Sequence, residues 1–126
     1  MSLAKKQIEA GAVDWYSVAW EALCEAQEEM ARYPDPDSIA PDSVLYSKAA
    51  EFFRRIPLDV LSVVKVPNIG AGPNGEVFLN WLGDFGSLHV VFYKGDISGF
   101  LKIGDLIKKS CHPDGVVDLV AGFANG

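Results

Sequence analysis

Hydrophobic residues recur every three or four positions in the first part of the chain, which is the spacing of an amphipathic helix. The pattern predicts a first helix over residues 4–33, with a proper start near Asp14 because Gly11 weakens the earlier part. A second helix is predicted over residues 42–56, with Asp42 as its N-cap, and prolines separate the two. The buried stripe of the first helix is predicted to comprise Val13, Trp15, Tyr16, Ala19, Trp20, Leu23 and Met30.

After Pro67 the hydrophobic period changes to two, which is typical of strands. Three alternating segments, residues 76–82, 88–94 and 97–103, are joined by short turns and predict an antiparallel meander. The preceding residues 58–66 fit either a short strand or a continued helix. The alternation places one set of side chains toward the helices: Val77, Leu79, Trp81, Leu88, Val90, Phe92, Leu101 and Ile103.

The end of the chain, residues 104–124, is predicted to form one or two short helices. Asp105 is a candidate cap for the first, which would run through Ser110, and a terminal helix is favoured over a strand by the spacing of Val116, Leu119, Val120 and Phe123. The predicted fold class is therefore α+β. Two N-terminal helices pack on an antiparallel meander of three or four strands within residues 58–103, all in a single domain over residues 1–126.

A literal Gly-x-Gly-x-x-Gly occurs at Gly70, Gly72 and Gly75. A dinucleotide site requires a helix after the third glycine, because the helix N-terminus holds the pyrophosphate. Here the following residues alternate as a strand, and the Pro-Asn-Gly sequence at residues 73–75 is typical of a turn. The motif is therefore predicted to reverse the chain into the sheet.

The Pro-Asn-Ile sequence at residues 67–69, the turn at 73–75 and the Val-x-Leu-x-Trp strand at 77–81 resemble a hairpin of assorted small uncharacterised bacterial and phage proteins. The resemblance covers about thirty residues of the 126. Those proteins more often have Asp in place of Asn74, and turn geometry accepts either residue. What the resemblance implies is a structural hairpin, with no catalytic residue, cofactor or substrate attached to it.

The net charge of -6 is unevenly distributed, because residues 1–40 hold three basic and eight acidic side chains. This balance argues against a general nucleic-acid binder, which needs a basic face to displace counterions from phosphates. The apolar runs are shorter than a bilayer span requires, so no membrane association is expected. A cytoplasmic bacterial protein is the default expectation.

The candidate soft metal ligands are Cys24, His89, Cys111 and His112. Their spacing does not suggest a site, and adjacent Cys111 and His112 point apart in either regular structure, so no metal or other cofactor is expected. The two cysteines are expected to be free and largely buried. His89, on a predicted strand, is interpreted as a hydrogen-bonded or half-exposed side chain rather than a catalytic base, and no catalytic residue is assigned.

Glu21, Glu25 and Glu28 line one side of the first helix. A solvated face is the ordinary interpretation of such a pattern. The functional alternative is an inhibitor that presents these carboxylates to the basic groove of a protein.

The second face of the sheet suggests a function, because it is more apolar than a face meant for water. It would present Phe78, Asn80, His89, Val91, Tyr93, Phe100 and Lys102. Either the C-terminal helix covers this face, or the face is an interface, with Phe78, His89, Val91, Tyr93 and Phe100 as its core. The favoured function is a non-enzymatic binding or accessory protein that acts through a homodimer or a protein partner.

The alternative function is a small-molecule binder or small enzyme with a pocket between the helices and the sheet. The side chains that could contact a ligand there are Trp15, Trp20, Tyr46, Trp81 and His89.

Overall fold

A computed structural model describes residues 3–32, 37 and 39–125 and shows an α+β fold. The elements in chain order are α1 (Leu3–Arg32), α2 (Ser43–Arg55), α3 (Leu58–Leu61), β1 (Asn68–Ala71), β2 (Val77–Leu82), β3 (Gly86–Tyr93), β4 (Asp96–Ile103), β5 (Leu106–Ser110) and α4 (Pro113–Ala124). The strands form one antiparallel sheet in sequence order, from β1 at one edge to β5 at the other. The described elements therefore form a strict meander with helices before and after it.

The two N-terminal helices occur where the hydrophobic spacing predicts them. Asp42 caps α2 as expected, because its carboxylate accepts a hydrogen bond of 3.0 Å from the backbone N–H of Val44. In contrast to the expected start near Asp14, α1 is helical from Leu3 onward and runs through Gly11. The predicted last residue of this helix, Tyr33, lies outside the described residues.

The buried stripe of α1 differs from the prediction at one large residue. Trp15, Ala19, Leu23 and Ala26 are buried, whereas Trp20 is 55% exposed. Trp20 lies four positions after Tyr16, and the two residues border a surface groove between α1 and α2 that Phe53 and Arg54 also line. Tyr16 and Met30 are half-buried, and the Val13 side chain lies outside the described set.

The sheet has five strands where three or four were predicted. Residues 58–66, left open by the sequence, contain the short helix α3, and β1 begins at Asn68. The prediction of a short helix between Asp105 and Ser110 is wrong, because residues 106–110 form β5. Gly104 has a positive φ of 57°, which reverses the chain immediately after β4 and places the next residues beside that strand.

The core lies between the helices and one face of the sheet. The predicted inward side chains of β2, β3 and β4 are buried there, and Ile103 is half-buried. From α2, the Phe52 ring meets the Phe92 ring edge-on at 5.9 Å. The C-terminal helix, predicted correctly, packs on β4 at Gly99, where a Cβ atom would lie only 2.9 Å from the Leu119 side chain. The glycine thus permits a close approach of α4 to the sheet.

Two buried tryptophans fix the connection between α3 and β1. The indole N–H of Trp15 donates to the Val64 carbonyl at 3.0 Å, and that of Trp81 donates to the Lys65 carbonyl at 2.7 Å. These bonds satisfy two backbone oxygens that lie outside regular structure. They also tie α1 and β2 to the same short segment.

Candidate functional site

The glycine motif lies in the hairpin between β1 and β2. The Gly72 N–H donates to the Glu76 carbonyl at 2.8 Å, and Gly75 has a φ of +85° that favours glycine. The backbone N–H of Ile39 donates to the Pro73 carbonyl at 2.8 Å, so the segment before α2 braces the turn. The element that follows Gly75 is a strand, as predicted, and the motif therefore builds a chain reversal.

The side of the sheet opposite the core is a second surface, which we call the open face. Every helix that contacts the sheet in the described part of the chain packs on the other side, α4 included, since α4 lies against Gly99 and Leu101. The alternative in which the C-terminal helix covers the open face is therefore wrong. Strand register places on it Asn68, Phe78, Asn80, Leu82, Ser87, His89, Val91, Tyr93, Asp96, Ser98, Phe100, Lys102, Ile107 and Lys109.

One row of this face crosses all five strands. It consists of Asn68, Asn80, His89, Phe100 and Lys109, each paired with the next in the register. The His89 Nδ1–H donates to the Asn80 side-chain oxygen, which orients the imidazole ring. At the far end of the row, the Lys109 ammonium lies 5.4 Å from the centre of the Phe100 ring, within cation–π distance.

The aromatic rings of the open face are accessible. Tyr93 is 41% exposed and Phe100 37%, while Phe78 is half-buried and lies 5.8 Å from the His89 ring. The Phe78 ring occupies the space where Gly70 has no side chain, so it lies across β1 instead of standing away from the sheet. These rings give the face a largely apolar centre.

The relief of the open face is shallow. Two adjoining depressions share His89, Val91 and Ser98, one extending toward Phe78 and the other toward Phe100. Ligand sites for small molecules are usually concave and enclose most of the ligand. A broad, shallow, aromatic surface instead suits contact with another protein.

Charged side chains on the open face are separated along the strands. Asp96 begins β4, and Glu76 borders the same end of the sheet beside Tyr93. The Lys94 ammonium lies 5.4 Å from the centre of the Tyr93 ring. Lys102 lies on β4 six residues further on, at the opposite end of the face. The four open-face positions of β4 therefore run from acid through Ser98 and Phe100 to base.

The five side chains proposed for an internal ligand pocket do not converge. Trp15, Tyr46 and Trp81 are buried in the core, Trp20 is exposed on α1, and His89 lies on the opposite side of the sheet. The Tyr46 hydroxyl is buried, and none of the described residues accepts or donates a hydrogen bond to it. Burial raises its pKa above 10.0, because the phenolate would be poorly solvated.

The cysteines are free, as expected, but Cys111 is exposed and Cys24 half-buried, so the expectation of largely buried thiols is wrong for Cys111. Cys111 lies in the connection from β5 to α4, next to the exposed N-cap residue His112, where the chain runs on the surface.

Within the part of the chain that is described, no three His, Cys, Asp or Glu side chains are grouped to hold a metal ion. Nor does that part contain a helix with the length and hydrophobicity to cross a membrane.

The carboxylates of the acidic helix face, Glu21, Glu25 and Glu28, are exposed on α1. They lie on the helix side of the molecule, away from the open face. The structure thus keeps the two predicted recognition surfaces apart.

Sequence reasoning missed several members of the open face. Lys109 belongs to β5, which was predicted as a helix, and Asn68 belongs to β1, a strand that only the resemblance to a hairpin implied. The Gly-Asp pair at residues 104–105 is typical of a two-residue hairpin turn. The five residues after it, up to Ser110, could therefore have been predicted as a strand that returns beside β4. It would have placed Lys109 beside Phe100.

Comparison with protein-family models, with curated proteins and with solved structures finds no significant match.

Proposed function

We propose that this protein is a non-enzymatic binding or accessory protein that acts through the open face, by contact with a second copy or with another protein. The observation that supports this most directly is an aromatic sheet face left uncovered by the helices. Exposed apolar surface with a polar rim is characteristic of interface cores. Large rings such as Tyr93 and Phe100 contribute most of the binding energy in such surfaces.

The proposed binding surface and the hydrophobic core lie on opposite sides of the sheet. The inward neighbours of the open-face rings, such as Val90, Phe92 and Leu101, are at most 3% exposed and hold the sheet on the helices. Substituting an outward ring leaves these contacts in place. Binding through the open face can therefore be altered without loss of the fold.

The test is the solution mass, measured by light scattering over a dilution series, for the wild type and the double variant Tyr93→Ser/Phe100→Ser. If the wild type is a dimer, we expect the double variant to be monomeric with an unchanged circular dichroism spectrum. The matched control, Val18→Ser/Trp20→Ser, removes two apolar side chains that are more than half exposed on α1 and should leave the mass unchanged.

A double variant that unfolds would show that the rings belong to the core, and the proposal would fail. A dimer that survives Tyr93→Ser/Phe100→Ser would place the interface elsewhere. A wild type that stays monomeric would exclude the homodimer, and the partner would then be a different protein. Its affinity for the wild type and for the two double variants would be compared in the same way.

A further inference from the structure

The charges on the open face are arranged so that the face is complementary to itself. Along β4 the outward positions are Asp96, Ser98, Phe100 and Lys102, with opposite charges at the two ends. At about 3.4 Å per residue these ends are about 20 Å apart. When such a strand is laid over a reversed copy, each carboxylate meets an ammonium.

Side-chain size follows the same symmetry. Reversing the face about an axis midway between Ser98 and Phe100 brings the Phe100 ring over Ser98 of the other copy. On β3 the same rotation brings Tyr93 over Ser87, because Tyr93 pairs with Asp96 and Ser87 pairs with Lys102 in the register. Each large ring thus meets a hydroxymethyl group, so that two copies can interdigitate.

We propose that the open face binds a second copy of this chain about a two-fold axis that runs across the strands near the middle of β4. Asp96 of each copy then lies opposite Lys102 of the other. A two-fold interface requires a surface that is complementary to itself, and both the charges and the side-chain sizes of β3 and β4 meet this requirement. This inference rests on the proposed function, since it names the partner of the same surface.

Other charges lie near the two ends. Glu76 adds to the acidic end, and the Lys94 ammonium is held there over the Tyr93 ring. At the Lys102 end, Asp84 and Asp105 are exposed in the turns that follow β2 and β4. The same axis stacks β5 on its own copy, and Lys109, which pairs with Phe100, lies close to the axis, so it belongs to neither charged end. The Asp96 and Lys102 pair is therefore the one whose exchange tests the axis.

The experiment is a charge exchange, read out as the dimer dissociation constant from sedimentation equilibrium. Asp96→Lys alone and Lys102→Asp alone each place like charges together twice per dimer. Each is expected to weaken the dimer about tenfold at low salt, and less in high salt. The double variant Asp96→Lys/Lys102→Asp restores both pairs and should return to within about threefold of the wild type.

Asp118→Lys and Lys108→Asp, which reverse exposed charges on the helix side of the molecule, are the controls and should leave the dissociation constant unchanged. Suppose that the ring variants abolish the dimer, but that Asp96→Lys/Lys102→Asp raises the dissociation constant as much as the two single variants combined. The axis is then wrong and the proposed function stands. If neither the ring variants nor the charge variants affect the dimer, both fail. A monomeric wild type overturns the second copy as partner.

Discussion

The packing of α4 on Gly99 can be tested by adding a single methyl group. A Cβ atom at Gly99 would lie 2.9 Å from a Leu119 methyl carbon and 3.1 and 3.2 Å from those of Val116. These separations are shorter than ordinary van der Waals contact, so the Leu119 side chain would have to move, and the Val116 side chain or α4 would have to shift by a few tenths of an ångström. Overpacking of this kind costs about 1–3 kcal/mol. Alanine recovers about 0.5–1 kcal/mol over glycine in a strand, since it restricts the unfolded chain.

We therefore expect Gly99→Ala to lower the free energy of unfolding by about 0–2.5 kcal/mol, with a central value of about 1 kcal/mol. Urea unfolding followed by tryptophan fluorescence measures this, because Trp15 and Trp81 are buried. The control is Gly95→Ala, where a Cβ atom would meet nothing within 4 Å and the stability should stay within about 0.5 kcal/mol of the wild type.

A double-mutant cycle makes the test specific to the α4 contact. Leu119→Ala alone should cost about 2–5 kcal/mol, because it leaves a cavity. Combined with Gly99→Ala, the new methyl group enters that space, and the double variant should be more stable than additivity predicts by about 0.5–3 kcal/mol. Wild-type stability in Gly99→Ala together with an additive cycle would refute the close contact between α4 and β4.

Two further predictions concern buried aromatic side chains. Trp15→Phe leaves the buried Val64 carbonyl without its donor and should lower the free energy of unfolding by about 1–3 kcal/mol. Trp81→Phe should lower it by only about 1 kcal/mol, because the bond it removes is partly buried. A larger loss for Trp81→Phe than for Trp15→Phe in urea unfolding would contradict this. Tyr46→Phe removes a hydroxyl that has no partner among the described residues, so its stability at neutral pH should equal the wild type or exceed it by about 1 kcal/mol. Since burial raises the pKa of Tyr46 above 10.0, the unfolded chain loses this proton first, and wild-type stability should decline as pH rises above 10.0. In thermal unfolding, the melting temperature of Tyr46→Phe should fall less than that of the wild type as pH rises above 10.0, whereas the exposed control Tyr93→Phe should fall as much as the wild type. Identical pH profiles of Tyr46→Phe and the wild type would contradict the effect of burial.

The parts of the fold that could be predicted are those with a clear hydrophobic period. The second helix and the strands β2 to β4 show periods near 3.6 and 2 over enough residues to identify them. The strand β5 was mistaken for a helix because its five residues are too few to show a period, and its pairing depends on the turn at Gly104.

The candidate site followed the same limits. Alternation along β2 to β4 was enough to group Phe78, His89, Val91, Tyr93 and Phe100, and their role as an interface stays a prediction. What alternation could not show was which face the C-terminal helix covers, because both faces are rich in apolar residues. That depended on Gly99, whose missing side chain lets α4 approach from the core side.

The Trp15 hydrogen bond to Val64 joins residues 49 positions apart, whereas each strand of the meander pairs with the strand next to it in the chain. Contacts between neighbouring segments form quickly, while distant contacts wait for a longer loop to close. We therefore expect the hairpins to assemble early and α1 to dock late. During synthesis α1 leaves the ribosome before β1 exists, so the part of its buried stripe that packs on β1 has to remain uncovered until that strand has been made, whereas the part that packs on α2 and α3 can be covered earlier.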